Sequence, residues 1–274
     1  MADRISDILV VSDMDGTLLT SGMQLLPANL EAIRLFRALG GHFSIATGRT
    51  HASVELYPEL SELLAPVITS GGGVIYDIAT QNVLQYTTLP PTAARQVLKE
   101  VQLHFPHVGV MVYGEDLRLY KISSSDNMQK LIEDESMLYF ERPSEDLPER
   151  WIKILFAASP DVLLELDAYI SARSFPGMRF ISTGEAYFEV MPEGVSKGNA
   201  LKELCALMNV SIENTYAIGD YYNDIDLMQS AGYAVAMKNA PSEVQAMADE
   251  LADSNENAGV GQFLFKLIQR YAPL

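Results

Sequence analysis

Short apolar runs alternate with amphipathic stretches in the first third of the chain. Ile8 to Val11 lack polar alternation, which is typical of a strand buried on both faces of a parallel sheet. Pro27 opens a helical pattern that ends at Gly40, and a second strand, HFSIA, leads to Thr47. The stretch PVITS is a third apolar segment, and VIYD and VLQY after it are predicted to pair as a hairpin. The order strand, helix, strand predicts an α/β fold with a parallel sheet.

The pattern changes after Pro90 and resumes after Gly194. Between them, the helices AARQVLKEVQLHF and DVLLELDAYI mix at irregular spacing with the strands VGVMVYG, RLYKI, IKILFAA, MRFIS and AYFEV, which favours an α+β module. The later order is helix SKGNALKELCALM, strand TYAIGD, helix NDIDLMQSA, strand YAVAM and helix VGQFLFKLIQRY. We therefore predict a discontinuous α/β core, residues 1–88 and 192–274, with an α+β domain inserted over residues 89–191.

The charge balance restricts the choice of partners. The 274 residues include 19 Lys and Arg against 36 Asp and Glu, a formal net charge of −17. Such a surface repels a phosphate backbone, so no nucleic-acid partner is expected. The same field opposes a phosphorylated small molecule. A phosphate site here would therefore need a bound cation and local Lys or Arg side chains.

A single cysteine, Cys205, lies in the apolar run LKELCALM. It excludes an intramolecular disulfide, favours a buried structural thiol, and suits a reducing compartment. The apolar run near the amino terminus is too short for a signal-peptide core or a membrane span. We expect a cytoplasmic protein with no membrane partner.

Two carboxylates, Asp13 and Asp15, follow the first predicted strand. If the extended geometry persists, the strand's period of two points both to the carboxyl edge of the sheet, where open α/β folds bind ligands. A divalent cation would relieve the repulsion between them. The alternative is an acidic loop without function, which is common in so acidic a chain.

A second acidic cluster, GDYYND, follows the strand TYAI and places Asp220 at a strand end. Asn223 and Asp224 would open the next helix. An ordinary helix start with acidic residues in its first turn is the alternative, and it accounts better for Asp224 than for Asp220.

Polar residues also end the second strand. Thr47 supplies a hydroxyl, Gly48 lets a ligand approach the backbone closely, and Arg49 supplies a cation. A simple turn is the alternative interpretation. Lys197 heads a predicted helix and could bind a phosphate near the positive helix end, although a surface lysine is the more common case.

The segments DMDGTLL, ATGR, VSKGNAL and GDYYND occur in the order of the four motifs of the haloacid dehalogenase superfamily. The sequence resembles the Cof-like sugar-phosphatase branch over its whole length, including the insert. The resemblance implies a Rossmann-like parallel-sheet core with an inserted α+β cap domain of type IIB.

The resemblance also implies roles for the acidic residues. Asp13 matches the nucleophile that forms an aspartyl phosphate, and Asp15 the general acid and base. Mg²⁺ would be held by Asp13, the backbone carbonyl of Asp15, and Asp220. Asp224 would orient Lys197 or the metal-bound waters without binding the metal itself.

The remaining motif residues match groups that bind the phosphoryl oxygens of the substrate. Thr47 and Lys197 would do so directly, Gly48 and Arg49 lie in the same motif as Thr47, and Asn223 would contact the phosphate or a metal-bound water.

The predicted function is Mg²⁺-dependent hydrolysis of a small phosphate monoester, such as a sugar phosphate, by a monomer or homodimer. Two alternatives stay open: a phosphotransferase or mutase that hands the phosphoryl group to a second sugar, and a catalytically idle sensor of a phosphorylated metabolite.

Overall fold

A computed structural model describes residues 4–271. The helices are α1 (Pro27–Ala38), α2 (His51–Glu55), α3 (Pro58–Ser61), α4 (Pro91–His104), α5 (Asp126–Asp134), α6 (Pro160–Ser171), α7 (Lys197–Met208), α8 (Ile225–Ser230), α9 (Ser242–Gln245) and α10 (Gly259–Tyr271). The strands are β1 (Leu9–Ser12), β2 (His42–Ile45), β3 (Val67–Thr69), β4 (Val74–Asp77), β5 (Asn82–Tyr86), β6 (Gly109–Gly114), β7 (Leu119–Ser123), β8 (Tyr139–Glu141), β9 (Trp151–Ala157), β10 (Met178–Ser182), β11 (Tyr187–Pro192), β12 (Thr215–Gly219), β13 (Tyr233–Met237) and β14 (Glu250–Ala252).

The chain divides into two compact units. The core unit comprises the residues up to Gln85 together with those from Ser196, and the inserted unit runs from Tyr86 to Val195. The second unit is thus an insertion between two segments of the first. The division between the units falls at the last residue of β5 and directly before Ser196, the residue that precedes α7.

The core unit is built on a parallel sheet of order β14-β13-β12-β1-β2. The central strands β1 and β12 are buried along their whole length, as expected of apolar runs without polar alternation. The predicted α/β fold class is confirmed.

Helices bury their apolar faces against this sheet. Leu201 and Leu204 of α7 pack in one cluster with Val11 of β1 and Leu227 of α8. Cys205 lies in the same cluster as the predicted buried thiol, and burial raises its pKa to about 11. Helices α1 and α10 pack against each other. Helix α1 also contacts the edge strand β2, and α10 contacts the opposite edge strand, β14.

A small sheet of order β3-β4-β5 follows β2. An isolated parallel bridge between Ala46 and Ile68 connects the end of β2 to β3. The predicted pairing of VIYD with VLQY is confirmed, since β4 and β5 are neighbours in this sheet.

The inserted unit holds a sheet of order β10-β11-β9-β6-β7-β8, in which only the β7/β8 pair is parallel among the described pairs. Its core includes Val97 of α4, Leu166 of α6, Ile154 of β9 and Phe188 of β11. Helix α5 and strand β8 were not predicted. The run DNMQKLIED offers few apolar residues, and Ser125 begins α5 by accepting a hydrogen bond from Met128 N.

Within residues 4–271, no helix is at once long enough and apolar enough to cross a bilayer.

Candidate active site

Three neighbouring strands of the core sheet deliver the predicted motif residues to one edge. Asp13 directly follows β1, Asp220 follows β12, and Thr47 lies two residues after β2. Because β12, β1 and β2 are adjacent and parallel, their carboxyl ends meet. This edge is where open α/β sheets place their ligand sites.

The chain leaves the extended conformation after Asp13. Residues Met14–Leu18 form a wide, irregular turn, in which Leu19 N donates to Met14 O at 2.9 Å. Gly16 has a φ of +73°, and a Cβ at this position would collide with the Asp220 carboxylate. The condition for Asp13 and Asp15 to point the same way, a persistent strand, is therefore not met. Their carboxylates bind different partners.

Lys197 is a buried lysine that pairs with two carboxylates. Its Nζ lies 2.5 Å from Asp13 Oδ1 and 2.6 Å from Asp224 Oδ1. Ser196 begins α7 by accepting a hydrogen bond from Asn199 N at 3.1 Å, which places Lys197 in the first turn. The alternative of a solvated surface lysine is excluded, since Lys197 is only 4% exposed.

Asp224 is occupied on both carboxylate oxygens. Oδ1 accepts from Lys197, and Oδ2 accepts from the backbone N–H groups of Asp220 and Tyr221 at 3.1 and 3.2 Å. Asp220 is fixed on its own side by Thr17, whose hydroxyl donates to Asp220 Oδ1 at 2.7 Å. Asp224 thus holds both Lys197 and the loop that carries Asp220.

Burial and mutual repulsion shift the pKa values of this cluster. Burial, followed by the nearby Asp224 charge, raises the pKa of Asp13 well above its ordinary value. Burial also raises the pKa of Asp220 to about 6. Burial alone would lower the pKa of Lys197, but the carboxylates of Asp13 and Asp224 raise it above the usual range, so Lys197 stays charged.

The acidic cluster fits a divalent cation. One carboxylate oxygen from each of Asp13, Asp220 and Asp224 lies within 4.8 Å of the others. Oxygen donors suit a hard cation, and one positive charge from Lys197 does not balance three carboxylates. Because both Asp224 oxygens serve Lys197 and the backbone, Asp13 and Asp220 are the side chains best able to bind the ion.

The Arg49 guanidinium forms an ion pair with the Asp15 carboxylate. Its Nη2 and Nε lie 2.6 and 2.8 Å from the two Asp15 carboxylate oxygens, a bidentate pair. Arg49 is 3% exposed, whereas the Asp15 side chain is 42% exposed. The Thr47 hydroxyl accepts a hydrogen bond from Arg49 N at 3.1 Å and can still donate its proton.

Gly48 and Asn223 are the two other predicted phosphate-binding residues. Gly48 lies beside Arg49, and a Cβ at Gly48 would meet open space. Asn223 is exposed, and within residues 4–271 no side-chain hydrogen bond joins it to the other predicted residues.

Two contacts of this loop were not predicted. Thr17 lies inside the motif DMDGTLL, so its nearness to Asp15 was a usable signal. Asn239 donates from Nδ2 to Gly16 O at 2.8 Å, across 223 positions of sequence. No local pattern in the sequence points to that contact.

The sequence model of haloacid dehalogenase-like hydrolases matches residues 10–264. The chain belongs to this family. Pyridoxal phosphate phosphatase YbhA of Escherichia coli (strain K12) is 27% identical over 266 residues, covering 94% of this chain and 97% of the relative. The 5-amino-6-(5-phospho-D-ribitylamino)uracil phosphatase YwtE of Bacillus subtilis (strain 168) is 25% identical over 286 residues, covering 94% and 97%.

Solved structures of the family share the fold. A haloacid dehalogenase-like hydrolase from Bacteroides thetaiotaomicron has a TM-score of 0.85 and 25% identity, covering 95% of this chain and 99% of that one. The subclass IIB sugar phosphatase BT4131 has a TM-score of 0.82 and 20% identity, covering 95% and 98%. The predicted family is confirmed, and with it the prediction of a hydrolytic enzyme.

Proposed function

We propose that this hydrolase is a Mg²⁺-dependent phosphatase that removes phosphate from a small phosphate monoester through an aspartyl phosphate on Asp13. The observation that carries the proposal is the buried Asp13 carboxylate at the end of β1, held by Lys197 within the cluster that also contains Asp220. The named phosphatases among the full-length relatives support the same reaction class.

Asp13 would act as the nucleophile. Lys197 binds Oδ1, which fixes the carboxylate and leaves its second oxygen to attack phosphorus. The bond from phosphorus to the ester oxygen breaks as the bond to the Asp13 oxygen forms. Mg²⁺, held by Asp13, the Asp15 carbonyl and Asp220, would supply positive charge to the carboxylates and the phosphate when bound.

Asp15 would transfer the protons. In the first half of the reaction it donates a proton to the departing alkoxide, and in the second half it takes one from the water that attacks the aspartyl phosphate. That attack breaks the bond between phosphorus and Asp13 and releases inorganic phosphate. The exposed face of Asp15 suits exchange with solvent, while Arg49 fixes the direction of its carboxylate.

The phosphoryl oxygens would be bound by Thr47, Lys197 and the backbone around Gly48. The Thr47 hydroxyl suits this role because it accepts from Arg49 N and so keeps its proton to donate. The Arg49 guanidinium and the Asn223 side chain would contribute further contacts. These groups would provide the local attraction that a chain of net charge −17 otherwise lacks.

The substrate class we propose is a small phosphorylated metabolite, with the inserted unit as the cap domain of the family fold. Relatives are named for pyridoxal phosphate and for a phosphorylated ribitylaminouracil. The cytoplasmic location and the monomeric or homodimeric state stay predictions.

The test is phosphate release from a panel of sugar phosphates, nucleotides, pyridoxal phosphate and an aryl phosphate, with Mg²⁺ and with chelator. Asp13→Asn should abolish release while preserving the circular dichroism spectrum, because the buried Lys197 keeps Asp224 as a partner. Asp7→Asn is the matched control, since the Asp7 carboxylate contacts Arg4 and Ser6 rather than the motif residues. An active Asp13→Asn enzyme would contradict the nucleophile, and transfer to a second sugar without phosphate release would favour a phosphotransferase.

A further inference from the structure

We propose that Asn239 is a positioning residue for the catalytic loop, defined as residues Asp13 to Thr17. Its side-chain amide donates to the carbonyl oxygen of Gly16 at 2.8 Å. Asn239 itself follows β13, on the far side of β12 from β1. The inference rests on the proposed function, because it assigns to Asn239 the orientation of groups that would hold Mg²⁺.

Gly16 is the point at which the loop needs an outside constraint. Its positive φ and its closeness to the Asp220 carboxylate require glycine. The same freedom from a side chain leaves the peptide groups on either side of Gly16 able to rotate. One of these peptide groups carries the Asp15 carbonyl, the predicted metal ligand.

Two hydrogen bonds fix the loop beyond this pivot. The Thr17 hydroxyl donates to Asp220 at 2.7 Å, and the Asn239 amide holds the Gly16 carbonyl. The first bond connects the loop to the end of β12, and the second connects it to the segment after β13. Together they limit rotation of the peptide that links Gly16 to Thr17.

Both the nitrogen and the oxygen of the Asn239 side-chain amide form hydrogen bonds. Its Oδ1 accepts from Asn255 N at 3.1 Å, so its Nδ2 is the group that faces Gly16. Asn255 in turn donates from its buried side chain to Leu19 O at 3.0 Å. The two asparagines therefore connect the carbonyl of Gly16, inside the turn, with that of Leu19, directly after it, through one chain of hydrogen bonds.

Asn239 makes no hydrogen bond to Asp13, Asp15 or Asp220 among the described residues, so it acts on the site through Gly16. The bond is exposed to competing water. A hydrogen bond of this kind contributes about 0.5–1.5 kcal/mol, which corresponds to roughly a 2- to 12-fold change in an equilibrium constant. The expected effect on Mg²⁺ binding is of that size.

The experiment titrates the full chain with Mg²⁺ alone by calorimetry, and measures kcat, KM and melting temperature on the best substrate. Asn239→Ala should raise the Mg²⁺ Kd about 2- to 12-fold and lower kcat, with KM little changed. Asn257→Ala is the matched control, because Asn257 is exposed on the same segment as Asn255 and contacts Asp253 rather than the catalytic loop. It should bind Mg²⁺ as the wild type does.

A second variant separates the two contacts of Asn239. Asn239→Asp keeps an acceptor for Asn255 N but loses the donor to Gly16 O, while its extra negative charge alone would strengthen Mg²⁺ binding. Weaker binding by Asn239→Asp would therefore isolate the Gly16 contact. Wild-type Mg²⁺ affinity in Asn239→Ala, or a lower melting temperature with unchanged affinity and kcat, would overturn the proposal. A wild-type protein without phosphatase activity would refute the proposed function, yet the Mg²⁺ titration would still decide the role of Asn239.

Discussion

Lys197 Nζ lies 2.5 Å from Asp13 Oδ1, and both side chains are almost completely buried. Asp224 binds the same ammonium group at 2.6 Å. A buried charge that loses its partner is not compensated by water, so the three groups form one electrostatic unit. Lys197 is thus a structural counter-ion as well as a proposed phosphate ligand.

Lys197→Met should cost both stability and activity. The variant leaves Asp13 and Asp224 buried without their cation, which costs on the order of 3–5 kcal/mol in the free energy of unfolding. Phosphate release should fall by several orders of magnitude in the fraction that remains folded. Chemical denaturation and phosphate release with Mg²⁺ measure the two effects.

Lys202→Met is the control for Lys197→Met. Lys202 lies on the same helix, is exposed, and donates a hydrogen bond to the side chain of Asn199 at 3.3 Å. Its loss should leave stability and turnover nearly unchanged. Wild-type turnover in Lys197→Met would contradict the role of the buried ammonium.

Arg49→Lys tests the direction of the Asp15 carboxylate. Lysine keeps the charge but cannot form the bidentate contact that Arg49 makes with Asp15. We expect kcat to fall about tenfold or more, because a displaced general acid reaches the leaving group less often. Arg34→Lys, a change of an exposed arginine on α1, should leave kcat unchanged. Equal kcat values for the two variants would refute the role of the bidentate pair.

The sequence predicts best what depends on strand ends. Asp13 and Asp220 follow buried apolar runs, and parallel strands bring their ends together, so local pattern and topology were enough to predict their proximity. The burial of Lys197 was not predicted from pattern, because a lysine at a helix start is usually solvated. Its burial depends on Asp13 and Asp224, 184 and 27 positions away.

Other features depend on tertiary contacts that leave no local trace. The Asp15 side chain turns to Arg49 because the chain leaves the strand after Asp13. Gly16 has a positive φ and lies so close to Asp220 that a Cβ would collide with the carboxylate. Nothing in the local sequence distinguishes Asn239 from an ordinary loop residue, and only the fold brings it beside Gly16. Helix α5 is different, because Met128, Leu131 and Ile132 have helical spacing within a largely polar run, and this local signal was missed.

Gly72→Ala should displace the start of α7. Gly72 has a φ of +101°, and its Cβ would lie 3.0 Å from Lys197 N and closer still to the Ser196 carbonyl. The backbone around Lys197 would have to move, so we expect lower thermal stability together with reduced kcat. Gly22→Ala is the control, since its Cβ would make only an ordinary contact with Thr20. A fully stable and active Gly72→Ala enzyme would contradict this close approach.

The raised pKa of Asp220 determines whether the stability of the metal-free protein rises or falls with pH. The folded value of about 6 exceeds the ordinary 3.8, so the folded state binds more protons than the unfolded state between these values. Ionisation of Asp220 therefore lowers stability as the pH rises from about 4 to about 6. Asp13 shifts in the same direction. A cation that binds the ionised carboxylates should reverse this loss.

Mg²⁺ affinity should consequently fall as the pH drops through 6. Below that value the ion must displace the proton on Asp220, which costs up to about tenfold in affinity per pH unit for each proton released. Calorimetric titration at pH 5, 6 and 7 measures the effect, and the rise in melting temperature on adding Mg²⁺ should be larger at pH 7 than at pH 5. If the Mg²⁺ affinity is the same at pH 5, 6 and 7, the ion does not bind the Asp220 carboxylate. Asp220→Asn should bind Mg²⁺ more weakly at pH 7 and lose the part of the pH dependence that comes from the Asp220 proton. The dependence that remains would report the proton on Asp13, whose pKa is raised as well.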